Sequence, residues 1–161
     1  MKGNSIEVRS VLAAFAASEE CTSLMRILGG AGWDLQFAPG FAAAKDVLHS
    51  FPNGVVMCTR RFEDGHCWKD ILNELHGMPI PPPLIVADRL ADESLWAEVL
   101  NFGCYDLLMT PFDAEEVLRV VTLAWEFSRR KRERTVVLPK PPKSAERHRQ
   151  FFARASAAGV E

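Results

Sequence analysis

The chain has 161 residues, 48% of them apolar and 25% charged, which suits one domain with a real core and a short remainder. No apolar run approaches the ~20 residues of a membrane span, and the opening Met1-Lys2-Gly3-Asn4-Ser5 leads into no apolar stretch of leader type, so the expectation is a soluble cytoplasmic protein with no membrane contact. The net charge of −2 conceals a division: residues 1–128 hold 9 Lys/Arg against 18 Asp/Glu and residues 129–161 hold 10 against 3, so a boundary between an acidic body and a basic extension is expected near residue 128.

Val8 to Phe15 (VRSVLAAF) is short and apolar and predicts a buried first strand. Glu19 to Leu28 carries Leu24, Ile27 and Leu28 at helical spacing, and Gly29-Gly30 predicts its stop. Trp33 to Ala38 alternates as a second strand, Pro39-Gly40 is a turn, and Phe41 to Phe51 predicts a helix ended by Pro52-Asn53-Gly54. Gly54 to Thr59 is a third apolar strand, followed by the charged loop Arg60 to Gly65 and a helix with Trp68, Ile71, Leu72 and Leu75 on one face. The proline-rich Met78 to Pro83 interrupts both helix and strand. Leu84 to Ala87 is a fourth strand, Leu95, Trp96, Val99 and Leu100 mark a fourth helix, and Tyr105 to Met109 is a fifth strand. Asp113, with Glu116 three residues on, predicts the start of a last helix reaching about Arg130.

Strand and helix thus alternate five times. The strands are near-continuous apolar runs, as parallel strands covered on both faces are. The expected fold is an α/β, flavodoxin-like open sheet of five parallel strands in order 2-1-3-4-5, with helices on both faces. A closed eight-stranded barrel needs about 250 residues. The core should include Val55, Val56, Ile85, Val86, Leu107 and Leu108.

Cys21, Cys58, Cys67 and Cys104 are scattered and form no C-x-x-C pair, and the four histidines are equally dispersed, so reduced packed thiols are expected, with no metal and no cofactor. Neither a P-loop nor a G-x-G-x-x-G occurs. Arg60-Arg61, just past the third strand, suits either an anion or a solvated loop.

Gly103-Cys104-Tyr105-Asp106-Leu107-Leu108-Met109-Thr110-Pro111-Phe112-Asp113 resembles the Gly-Ala-x-Asp-Tyr-Leu-x-Lys-Pro-Phe-Asp segment of the receiver domains of two-component response regulators (CheY-like). Pro83 to Ala87 is similar to that family's fourth strand and Gly54 to Gly65 to its phosphoacceptor strand and loop, so the resemblance spans roughly residues 8–128. It implies five chemical groups: two acids holding Mg²⁺, an acceptor Asp, a Thr or Ser, and a Lys, which together neutralise charge as phosphorus is attacked. Residue by residue, the acid pair falls at Ala16 and Ala17, or one residue earlier to include Phe15, none of them acidic. The acceptor falls at Thr59, with Phe62 at the family's Leu three positions on. The Thr/Ser position is Ala87 and the Lys position Thr110. Only Pro111 is kept, and the resemblance implies a cis Thr110-Pro111 bond. Glu19, Glu20, Asp64 and Asp88 lie near the same sheet end but read as loop-solvating and capping groups. The expectation is a degenerate pseudo-receiver, not an enzyme.

Such a module works through a protein partner: a histidine kinase, another regulator or a homodimer mate. The candidate surface is Leu95, Trp96, Phe102, Tyr105, Trp125 and Phe127, more large apolar groups over residues 91–128 than a core alone needs. The alternative is a regulator contacting nucleic acid through the basic residues 129–154. In that extension Arg129 to Arg134 prolongs the last helix, Pro139 to Lys143 reads as a linker, and Ser144 to Ala158 as a short basic helix or a partly disordered tail.

Overall fold

The computed structural model describes residues 7–137, apart from 17 and 52. The chain divides into two compact units, Met1–Arg130 and Lys131–Glu161, and the fold and site below belong to the first. The linker and basic-helix readings of residues 139–158 lie outside the described residues.

Among the described residues five strands and five α-helices alternate in chain order: β1 (Ser10–Ala14), α1 (Glu19–Leu24), β2 (Asp34–Ala38), α2 (Phe41–Leu48), β3 (Val55–Thr59), α3 (Trp68–His76), β4 (Leu84–Asp88), α4 (Glu93–Asn101), β5 (Asp106–Met109) and α5 (Ala114–Val137). The five strands form one sheet in the order β2-β1-β3-β4-β5. Every pairing is parallel, from Val11 opposite Leu35 and Val55 to Ala87 opposite Leu108, as the alternation predicts.

Successive strand residues point to opposite faces, so each strand feeds two cores. Leu12, Val56, Val86 and Leu107 pack with Trp68, Ile71 and Leu75 of α3 and Val99 of α4. Val11, Val55, Ile85 and Leu108 pack on the other side with Leu24 of α1 and Val117, Val121 and Trp125 of α5. Both faces are therefore dry, and each Val, Leu or Ile fully buried this way contributes about 1.5–3 kcal/mol relative to exposure. All six side chains expected in the core are buried.

The differences from expectation lie at element ends. β1 is shorter than Val8 to Phe15, since Val8 is exposed and pairing begins at Ser10. Gly29-Gly30 does not stop the first helix. The chain passes from α1 into a π turn over Met25–Gly29, and Gly30 keeps right-handed helical dihedrals. The stop is Gly32, at φ 84°, after which the Trp33 N–H donates to the Leu28 carbonyl at 3.0 Å. A glycine ends a helix by entering the left-handed region, and neither Gly29 nor Gly30 does so. The second helix ends at Leu48 rather than Phe51, whose ring is buried against the first core. The last helix continues past Arg130 to Val137.

Candidate functional site

A cavity of about 290 Å³ opens at the carboxyl ends of the strands. Phe15 and Ala16 follow β1, Thr59 closes β3, Ala87 and Asp88 close β4, and Thr110 follows β5, and all of them line it. Four positions chosen from the sequence, Ala16, Thr59, Ala87 and Thr110, thus meet around one space, because parallel strands in register end together. The fifth, Ala17, lies outside the described residues. The Thr110-Pro111 bond is cis, as the resemblance implies.

The loop after β3 holds the rim. The Phe62 N–H donates to the His66 carbonyl at 2.7 Å, Gly65 turns at φ 93°, and the Trp68 N–H donates to the Arg60 carbonyl at 3.0 Å. Asp64 stabilises this turn by accepting from the His66 backbone N–H at 3.0 Å, with His66 Nδ1 at the same distance. The backbone bond, aided by the imidazole, holds the Asp64 carboxyl below its usual range. The turn places Arg61, Phe62 and Glu63 on the cavity.

Two ion pairs span the opening. Arg60 Nη1 lies 3.5 Å from Asp88 Oδ2, joining the ends of β3 and β4. Arg89 Nε lies 3.8 Å from Glu20 Oε1, joining the loop after β4 to α1. Solvent-exposed pairs of this kind contribute only ~0–1 kcal/mol. A hydrogen bond from Ser18, then the Glu20 backbone, with Arg89 adding a smaller attraction, hold the Glu20 carboxyl below its usual range. Arg89, absent from the sequence-based candidates, occupies the place beyond β4 that Arg60-Arg61 occupy beyond β3. That shared position was the available signal.

A divalent cation here would need several oxygen donors. The residues present do not fit one: the position after β1 is Ala16, Glu20 and Asp88 are turned to arginines, and no group of three or more His, Cys, Asp or Glu among the described residues is placed to hold a metal ion. The thiols lie elsewhere, all four free. Burial raises Cys58 well above its ordinary value and Cys104 to about 12.

The expected partner surface is corrected in part. Leu95 and Trp125 are buried, at 3% and 5% exposure, in the two cores. Trp125 stacks edge-on against Trp33 at 6.4 Å. Counting apolar groups does not reveal which way a helix turns them. Trp96, Phe102 and Phe127 are about half exposed, joined by Leu90, Met109 and Leu123, which the sequence reading omitted. Tyr105 is half-buried, 5.8 Å from the Phe127 ring. Phe102 stands apart from that pair, edge-on to Trp68 with Lys69 Nζ 4.6 Å above it. Among the described residues no helix is long and apolar enough to cross a membrane.

No family model and no curated protein matches the sequence. Solved structures do match the fold. The signal receiver domain of a protein described as a Luxo repressor from Vibrio parahaemolyticus is 17% identical, with a TM-score of 0.70 over 77% of this chain and 95% of that one. The receiver domain of an HD domain-containing protein from Pseudomonas fluorescens Pf-5 is 21% identical, with a TM-score of 0.67 over 76% and 98%. The beryllofluoride-activated NtrC4 receiver domain dimer is 20% identical, with a TM-score of 0.66 over 74% and 98%. The fold is the flavodoxin-like fold of response-regulator receiver domains.

Proposed function

We propose that this chain is a pseudo-receiver: a signalling module of response-regulator type that binds a partner protein in or beside a phosphorelay and transfers no phosphoryl group. One observation carries the reading. Ala16, Thr59, Ala87 and Thr110 surround one cavity, in a fold shared with receiver domains, and offer neither a nucleophilic carboxylate nor a lysine. A threonine hydroxyl needs a base to attack phosphorus, and of the three carboxylates on the cavity Asp88 and Glu20 are held by arginines while Glu63 stands on the loop after β3. Transfer also requires positioned charge to neutralise the phosphoryl oxygens.

Residues 1–128 form the receiver-like part, with residues 129–161 a basic extension, and the protein acts in the cytoplasm. The partner is a histidine kinase, another regulator or a second copy. It docks through Trp96, Tyr105 and Phe127, with Leu123 one turn before Phe127 on α5. Half-exposed aromatics are the residues that anchor interfaces.

Two measurements test the reading. Incubation with acetyl phosphate and Mg²⁺ should leave the intact mass unchanged, and stoichiometric gain of one phosphoryl group would refute it. Capture of partners by the full chain should be lost in Trp96→Glu and Phe127→Glu, and unchanged capture would remove the docking face.

A further inference from the structure

In an open α/β sheet, ligands bind outside the carboxyl ends of the strands where the direction of winding reverses. Here that point lies between β1 and β3, the neighbours on either side of the reversal in the order β2-β1-β3-β4-β5. The cavity of about 290 Å³ opens there, between Phe15-Ala16 and Thr59. Its volume is near the lower end of the ~300–1,000 Å³ of small-molecule sites.

The groups around it are rich in donors. Thr59 and Thr110 carry hydroxyls that bond to no described residue, and Thr110 is 6% exposed. Arg61 and Arg89 line the opening and Arg60 stands beside it. Facing them are Glu20, Glu63 and Asp88. Glu20 and Asp88 already meet Arg89 and Arg60 at 3.8 and 3.5 Å, whereas Arg61 meets no carboxylate among the described residues. A guanidinium presents five N–H donors in a fork that fits a tetrahedral oxyanion. It can keep a carboxylate on one edge and take the oxyanion on the other. A second cavity of about 300 Å³ adjoins the first, shares Glu20, Arg89 and Thr110, and adds Glu19, Ser23, Pro111 and Phe112 to its walls. That gives room for an organic body of mixed polarity beside the anion.

We propose that this site binds, without covalent reaction, a small phosphomonoester, its phosphate on Thr59, Thr110, Arg61 and Arg89 and its organic part toward Pro111 and Phe112. The inference rests on the reading that no phosphoryl group is transferred here. It adds an input to the module: the concentration of a phosphorylated metabolite.

The test titrates the full chain with inorganic phosphate and with glycerol 3-phosphate, against sodium chloride at matched ionic strength. Backbone amide shifts of Thr59, Arg61 and Thr110 and the melting temperature are followed. Both probes should give saturating shifts at these amides, with glycerol 3-phosphate the tighter and raising the melting temperature. Arg61→Ala with Arg89→Ala, and separately the volume-conserving Thr110→Val, should each weaken binding about tenfold or more. Non-saturating shifts in the wild type, affinities unchanged in both variants, or glycerol 3-phosphate no tighter than phosphate would overturn the proposal and leave the partner-binding reading standing. A gain of a phosphoryl group in intact mass on incubation with acetyl phosphate would overturn both.

Discussion

The same methyl group, added at two glycines, should act in opposite directions. A Cβ at Gly54 would lie 2.4 Å from the Ser10 carbonyl oxygen and 2.6 Å from Phe51 Cζ. The oxygen belongs to β1, whose Val11 pairs with Val55 of β3, so the methyl pushes apart the two central strands that flank the cavity. Overpacking of this kind costs about 1–3 kcal/mol, and the upper part of that range applies because one neighbour is backbone. At this chain length about 2–3 kcal/mol lowers the melting temperature by roughly 4–12 °C. A Cβ at Gly30 meets nothing within 4 Å, and the residue already has φ −64° and ψ −23°. Gly30→Ala therefore removes unfolded-state freedom without strain and should stabilise by about 0.4–1 kcal/mol. Urea unfolding and thermal melts of the two variants beside the wild type measure both signs. Equal and small effects at both sites, or a loss at Gly30 comparable to that at Gly54, would refute the reasoning, because then neither close approach nor local backbone governs the response.

Thiol chemistry offers a second check. Cys58 and Cys104 are held protonated by burial, Cys104 up to about 12, so at mild alkaline pH a thiol reagent should label the half-buried Cys21 and Cys67 first and reach the other two only on unfolding. The sign for stability follows: the folded state keeps protons that the unfolded state releases, so stability should fall as pH rises from about 9 toward 12, and an unfolding free energy that is flat across that interval would contradict the buried thiols. Ile71→Ala, in the core between the sheet and α3, should cost about 2–5 kcal/mol by urea unfolding. Trp96→Glu and Phe127→Glu lose the Trp96 Nε1 bond to Asp106 and the ring contact with Tyr105, and should each cost about 0.5–1.5 kcal/mol in the same assay, less than Ile71→Ala.

The architecture was legible because burial on both faces leaves a plain mark. VVMCT and LIVA admit no solvent-facing side, and the helices between them show one apolar stripe each. That Thr59, Ala87 and Thr110 would gather at one edge was legible too, since parallel strands of similar length end level. Helix ends were less so. Gly29 and Gly30 read as a stop, yet a glycine takes whichever dihedrals its surroundings allow, and the left-handed turn fell to Gly32. The exposed face was half legible. Trp125 and Phe127 are two residues apart on α5 and so lie on different sides of it, one in the core and one in solvent. The periodicity of the buried Val117, Val121 and Ala124 separates Leu123 from them, and a stricter reading of the helical phase finds it. Arg89 follows β4 as Arg60-Arg61 follow β3, a parallel that shows once the two strand ends are compared.

The placement of β1 also bears on the order in which the molecule is made. β1 is flanked by β2 on one side and β3 on the other. On a ribosome adding ~5–20 residues per second, residues 10–38 emerge with one flank of β1 still open, and that flank stays open until Val55–Thr59 follows. During that interval the open edge of β1 (SVLAA) presents unpaired backbone groups to other chains. Gly54, immediately before β3, leaves no room for a Cβ beside the Ser10 carbonyl and the Phe51 ring, so a larger residue there would hinder the pairing that closes that edge.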